Sequence, residues 1–309
     1  MSERLEWERD GRDWPHREAS QFVKAGGLRW HVQLFESHQR NAPQAAPVAV
    51  LIHGTGASTH SWRDLAPLLA RHFTVLTMDL PGHGFTDMPA GGTLSPQLSL
   101  PGMADALGAL IATVGMTPAL VIGHSAGAAI AVRMCLDGTI APNMVIGLNA
   151  ALLPLGGLAG KLFSPVAKLM AVTPFLPKLF SWRAADPGVL QTLIDSTGST
   201  LDPAGLALYG RLVSNPGHAA GALGMMANWD LDALADELPR LQVPLGLIVG
   251  SKDRTILPTQ SSQVLAMLAP GATKPLQTLE GLGHLAHEER PDLVANVVLA
   301  LYRDLPQPP

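Results

Sequence analysis

The pentapeptide Gly123-His124-Ser125-Ala126-Gly127 constrains this chain more than any other stretch. The apolar run Ala119-Leu-Val-Ile122 feeds it, and the small-residue run Ala128-Ala-Ile-Ala-Val132 leaves it. That is the pattern of a short strand turned sharply into a helix, with glycines where the corner has no room for side chains. Such a corner holds the Ser125 hydroxyl out of the sheet. It also points the Ala126 amide at the start of a helix, where unpaired N–H groups favour negative charge. The same five letters also occur as an ordinary Gly/Ser turn, so the surrounding sequence decides.

The surroundings alternate. Phe22-Val23 and Leu28 to Phe35 bracket Gly26-Gly27 and read as a hairpin. After a Pro/Ala/Gln stretch from Asn41 to Pro47 comes Val48-Ala-Val-Leu-Ile52, apolar throughout as befits a strand buried on both faces. It ends in His53-Gly54-Thr55-Gly56, a turn able to aim a backbone amide into a cleft. Trp62 to Leu69 reads as an amphipathic helix, Phe73 to Leu80 as a strand and Met103 to Val114 as a helix with Ala104, Leu107, Ile111 and Val114 on one face. Met144 to Leu148 is a further strand. The order β-α-β-α-β-α-β predicts a mostly parallel sheet with helices on both faces and right-handed crossovers.

The rhythm breaks between residues 151 and 234. Prolines at 154, 165, 174, 177, 187, 203 and 216 cut this stretch into short amphipathic pieces, strongly apolar at Leu162-Phe163, Leu169-Met170 and Leu179-Phe180. Residues 1–150 and 235–309 are therefore expected to form the core, with 151–234 a helical lid inserted after the sixth strand. Lys161, Lys168, Lys178 and Arg183 lie among the apolar residues. Three readings stay open: plain packing of the lid, a greasy pocket with basic residues at its mouth for a carboxylate, and peripheral contact with a membrane surface. Met225, Met226 and Trp229 are candidate pocket residues. Pro244 to Val249 then resumes the strands, followed by Gly250-Ser-Lys-Asp253, a helix from Thr259 to Leu268, a strand from Pro275 to Leu279, the loop Gly281-Leu-Gly-His284 and a last helix from Pro291 to Tyr302.

Ser125, Asp253 and His284 each follow a predicted parallel strand, the edge at which open α/β sheets bind ligands. A serine hydroxyl needs a base to become a nucleophile at neutral pH. His284 suits that task, since imidazole titrates near working pH. Asp253 is placed to hold its tautomer. The amides of Thr55 and Ala126 are the expected oxyanion donors, and Leu285 is a candidate substrate contact. Among the 11 histidines, His53 and His124 sit in turns and are expected to brace backbone. The run His284-Leu-Ala-His287-Glu288 lacks the spacing of zinc-protease motifs, so no metal is expected. Asp230 and Asp232 resemble helix-start residues. No cofactor is expected either: no G-x-G-x-x-G opens a helix after a strand with an acidic residue downstream.

Composition narrows the partners. With 309 residues, 47% hydrophobic and 15% charged, the chain can fill a substantial core, and its formal net charge of −4 argues against nucleic acid. A single cysteine, Cys135, forbids an internal disulfide and suits a reducing compartment. The charged stretch from Met1 to Ser20 is unlike a signal peptide, and a cytoplasmic enzyme is the expectation.

Residues 48–150 and 244–303 resemble the α/β-hydrolase fold through His53-Gly-Thr-Gly56, Asp79-Leu-Pro-Gly-His-Gly84, Gly123-His-Ser-Ala-Gly127, Gly250-Ser-Lys-Asp253 and Gly283-His284. That resemblance implies a mostly parallel eight-stranded sheet and a serine hydrolase of the esterase type. More narrowly, residues 12–20, 25–32 and 54–64 resemble the magnesium-chelatase accessory proteins of bacteriochlorophyll biosynthesis. This implies action on a bulky apolar ligand related to porphyrin, with a subunit of magnesium chelatase as partner. It admits two classes of function: a hydrolase acting on a tetrapyrrole-related ester, with C–C bond hydrolysis by the same triad as the alternative chemistry, or a non-catalytic porphyrin escort on a hydrolase scaffold.

Overall fold

A computed structural model describes residues 4–37, 46–154, 176–184 and 186–305. Eight strands form one sheet in the order β1-β2-β4-β3-β5-β6-β7-β8. β1 (Ser20–Ala25) and β2 (Leu28–Phe35) are the antiparallel hairpin, closed by Gly26 and Gly27 at φ 57° and 79°. Two consecutive positive φ values are what a tight two-residue hairpin turn requires, and glycine supplies them without strain. β2 also runs antiparallel to β4 (Thr74–Met78). β3 (Val48–Ile52), β4, β5 (Pro118–His124), β6 (Met144–Leu148), β7 (Leu245–Gly250) and β8 (Thr273–Leu279) run parallel.

The central strands are buried on both faces, which explains why they read as unbroken apolar runs. Leu107, Leu110, Ile130 and Met134, from helices Leu100–Val114 and Ala126–Leu136, pack on one face. Leu65, Leu69, Val294 and Val298, from Leu65–Leu69 and Pro291–Arg303, pack on the other.

Two elements depart from expectation. The helix expected from Trp62 to Leu69 splits into a 3-10 turn, Thr59–Trp62, and a short helix, Leu65–Leu69. Between them Arg63 keeps right-handed backbone angles and carries its guanidinium inward to the buried Glu288 carboxylate at 2.7 Å. The helix expected from Met103 begins at Leu100 instead. Ser99 Oγ accepts the Gly102 amide at 3.2 Å, and Pro101 sits in the first turn, where its missing N–H costs nothing.

The sheet pauses between β6 and β7 for the inserted cap. Its described helices are Leu176–Ala184, Pro187–Ser196, Pro203–Val213, Pro216–Ala227 and Leu231–Glu237. Three of the prolines that look like breaks in the sequence are helix starts. Asp186, Asp202 and Asn215 precede Pro187, Pro203 and Pro216, and each side chain accepts an amide of the first turn. The cap pieces around Lys161, Lys168, Leu162-Phe163 and Leu169-Met170 lie outside the described residues, as does most of the stretch from Asn41 to Pro47. The cap meets the core at backbone distance: a Cβ added to Gly221 would stand 2.0 Å from the Gly82 carbonyl oxygen. No helix among the described residues is long and apolar enough to cross a membrane.

Candidate active site

β5 delivers Ser125 into a conformation few residues adopt, φ 50° and ψ −117°. Holding a non-glycine residue there costs about 1–3 kcal/mol, and the surroundings over-determine it. The Ser125 amide donates to Leu148 O at 2.9 Å, and its carbonyl accepts from Ala128 and Ala151, both at 3.1 Å. The flanking glycines are steric necessities. A Cβ on Gly123 would lie 2.4 Å from Ala128 Cα, and one on Gly127 would lie 2.1 Å from Ile52 O. The Gly54-Thr55-Gly56 turn after β3 lies directly against the corner, so that a Cβ on Gly54 would stand 3.1 Å from Ser125 Cβ.

Asp253 and His284 meet although 31 residues separate them. His284 Nδ1–H donates to Asp253 Oδ2 at 2.9 Å, which leaves Nε2 as the basic ring atom. Asp253 Oδ1 accepts the amides of Thr255 and Ile256 at 2.8 and 2.9 Å. Its Oδ2 accepts a second donor, Asn149 Nδ2, at 2.8 Å. The cap reaches both loops. Thr197 O accepts the amides of Arg254 and His284, Ser199 Oγ accepts the amide of Leu285, and a Cβ on Gly198 would meet Lys252 O at 2.0 Å.

Ser125, His284, Thr55, Ala126 and Leu285 all line one cavity of about 880 Å³ beneath the cap. Leu190, Ile194, Val213, Leu223, Met226 and Trp229 supply its apolar wall. Met225 does not line it and corrects the expectation for that residue. It is fully buried, with its sulfur 3.4 Å from the Thr55 hydroxyl that donates to it, while Met226 takes the wall one residue further round the helix. Of the basic residues set among the cap's apolar ones, Lys161 and Lys168 lie outside the described residues, and Lys178 and Arg183 are exposed on Leu176–Ala184 and do not line the described wall, whose charged residues are Asp230 and Asp232. Asp230 also caps the following helix through the amides of Asp232 and Ala233.

The turn histidines brace backbone. His53 Nδ1–H donates to Gly54 O at 2.7 Å and Nε2 accepts the Leu80 amide at 2.9 Å. His124 Nε2–H donates to the carbonyl of His284 itself at 2.9 Å. His284 and His287 turn to different partners, since His287 Nε2–H donates to Ser61 Oγ at 2.9 Å. Among the described residues no group of three or more His, Cys, Asp or Glu is arranged to hold a metal ion.

Sequence reasoning overlooked three participants. Asn149 follows β6 as Asp253 follows β7, so the same positional signal was available. His218, on Pro216–Ala227, bridges cap and core: its Nε2–H donates to Gly56 O and its Nδ1 accepts the Gly84 amide, both at 3.0 Å. The third is a buried cluster around Glu288. Ser61 and Tyr209 donate hydroxyls to Oε1 at 2.6 and 2.8 Å, and Arg63 Nη1 donates to Oε2 at 2.7 Å. Arg63 also reaches Asp202 of the cap at 3.2 Å. Burial pushes the Glu288 carboxyl above its ordinary range, against the pull of Arg63.

Burial lowers the pKa of the His218 and His287 imidazoles and holds them neutral. His218 is lowered to about 4, and His287 to about 3, the latter helped by the neighbouring His284 and Arg63 charges. The unfolded chain thus binds more protons than the folded one below the ordinary histidine range. Stability is complete above pH ~6.5 and falls by about 1.4 kcal/mol per pH unit for each such ring as pH drops toward its folded value. Urea midpoints at pH 7 and pH 5 are expected to differ accordingly, and His287→Asn to flatten the slope. Equal midpoints would contradict the neutral assignment.

These features define a class. The profile of the alpha/beta hydrolase family matches residues 49–297, and the chain belongs to that family. Within it the chain is 39% identical over 287 residues to the "Magnesium-chelatase 30 kDa subunit" of Rhodobacter capsulatus, covering 93% of this chain and 95% of the relative. Among solved structures, the epoxide hydrolase CorEH superposes with a TM-score of 0.75 at 22% identity over 93% of this chain and 99% of its own. An alpha/beta hydrolase fold protein from Burkholderia ambifaria gives 0.73 at 23% identity over 91% and 97%. The expected fold, with helices inserted after the sixth strand, stands.

Proposed function

We propose that this chain is a serine hydrolase of the esterase type, acting on a bulky, uncharged, apolar ester. The observation that carries the reading is the His284–Asp253 hydrogen bond at 2.9 Å, made by a histidine that shares a cavity with Ser125 at its strained corner. Ser125 Oγ attacks the ester carbonyl while His284 Nε2 takes its proton, and the imidazolium is balanced by Asp253. The Thr55 and Ala126 amides receive the oxyanion, each contributing about 3–4 kcal/mol to the barrier reduction. His284 returns the proton to the leaving alcohol, then activates the water that releases the acid.

The wall favours a neutral substrate, because the carboxylates of Asp230 and Asp232 stand on it and repel a free diacid. The Rhodobacter relative bears a chelatase name, which supports a tetrapyrrole-related ester as the natural substrate and a chelatase subunit as partner. A fluorophosphonate probe is expected to label the protein once, on the peptide that carries Ser125, and to leave Ser125→Ala unlabelled. An unlabelled wild-type protein rules the reading out.

The same name favours a second reading, a porphyrin escort that uses the cavity without the hydroxyl. Cells carrying only Ser125→Ala discriminate: normal pigment production supports the escort, and lost pigment supports the esterase.

A further inference from the structure

Asn149 belongs to none of the groups that touch a substrate, yet it joins three strand ends. It follows β6, its own amide donates to Ile248 O of β7 at 2.8 Å, and its side chain is buried. One side-chain N–H bond points to Asp253 Oδ2 at 2.8 Å, and the amide also lies 3.2 Å from Gly283 O, the carbonyl immediately before His284. Its backbone sits at φ 47°, a left-handed conformation that asparagine tolerates better than most side chains.

We propose that Asn149 is a positioning residue that acts through Asp253, fixing the carboxylate toward His284 and tying the acid loop to the base loop. Its effect on rate rests on the esterase reading; its effect on the acid–base pair does not.

The donor inventory makes the case. Asp253 Oδ1 is taken by two backbone amides, and Oδ2 by His284 and Asn149. Four donors fill a carboxylate, so its plane has one orientation with every lone pair satisfied. An amide NH₂ serves two acceptors at once, and Asn149 faces two oxygens that belong to different loops. The opposite flip would set its oxygen against both. Neither hydrophobic packing nor a single hydroxyl reproduces that bridge.

The charged and titratable neighbours are few. His284 faces Asp253 from the loop after β8; His124 lies against the His284 ring with ring centres 4.8 Å apart, and His287 follows in the next helix turn. The Arg63–Glu288 pair lies behind His287, and Lys252 and Arg254 beside Asp253 are exposed. From the cap, the contact to His284 is the neutral Thr197 carbonyl.

The test uses Asn149→Gly and Asn149→Asp in the full chain, with kcat/KM for a p-nitrophenyl ester measured against pH. Asn149→Gly keeps the left-handed backbone and removes the amide. It is expected to lower kcat by about 10²-fold, as misplacement of a catalytic group does, with KM unchanged. Asn149→Asp places a second carboxylate beside Asp253, which favours the imidazolium and moves the acid limb of the profile upward by about one unit or more. Wild-type kcat in the first variant, or an unmoved limb in the second, overturns the proposal. If the wild-type protein hydrolyses no ester, the esterase reading fails by itself. NMR titration of the His284 ring in Ser125→Ala, with and without Asn149→Asp, then decides, and an unmoved titration overturns the proposal.

Discussion

Ser125→Ala is expected to lose aryl-ester turnover by about 10⁴-fold or more in kcat/KM while melting as a folded protein. The hydroxyl is the atom that forms the acyl bond in the proposed reaction. What survives comes from the Thr55 and Ala126 amides and from binding. His284→Ala is expected to fall about as far, and the double variant no further than the worse single one, because nucleophile and base act as one unit. Additive losses, or a Ser125→Ala protein with wild-type turnover, exclude acyl chemistry at this corner. The Ser125 backbone is held by Leu148, Ala128 and Ala151 and by the close approach of Gly127 to Ile52, none of which involves the hydroxyl. Loss of activity therefore separates cleanly from loss of fold.

Arg63→Leu is expected to destabilise the fold by about 3–5 kcal/mol, the usual cost of stranding one partner of a buried ion pair. Glu288 is buried and receives its cationic contact from Arg63 at 2.7 Å; Ser61 and Tyr209 add neutral donors. The sign with pH follows from the carboxyl's raised value. The folded state holds a proton over a range in which the unfolded carboxyl has released it, so this group costs stability as pH rises through that range. Without Arg63 the range widens upward. The deficit of Arg63→Leu is expected to be larger at pH 8 than at pH 5, and Glu288→Gln in the same background to recover part of it at pH 8. Urea denaturation of the four proteins of the cycle measures this. A deficit within ~0.5 kcal/mol, the usual surface value, contradicts the burial of the pair.

Much of this was written locally. The strands announce themselves because burial on both faces leaves no room for polar residues, and Gly123 and Gly127 mark the corner because backbone fills the space a Cβ would need. Asp253 and His284 were legible from position alone, each just beyond a buried strand. Asn149 obeys the same rule, but a lone asparagine after a strand looks like any turn residue until its partners appear. The choice between Met225 and Met226 depended on the rotation of Pro216–Ala227, whose faces are both apolar and so carry no phase signal. The Ser61–Arg63–Tyr209–Glu288 cluster spans 227 residues from Ser61 to Glu288 and leaves no periodic trace. Trp62 to Leu69 misled because its apolar spacing suits one continuous helix, whereas the segment is split into a 3-10 turn ending at Trp62 and a short helix starting at Leu65.

The junction at Thr197, Gly198 and Ser199 restricts how anything enters the chamber. This corner of the cap is stitched to the segments that carry both the carboxylate and the imidazole, so lifting it would pull the proton-transfer pair apart. The anchored corner behaves as a hinge post rather than a door. In the proposed reaction, reactant and product pass elsewhere, and any breathing of the roof that keeps His284 on Asp253 turns about this point.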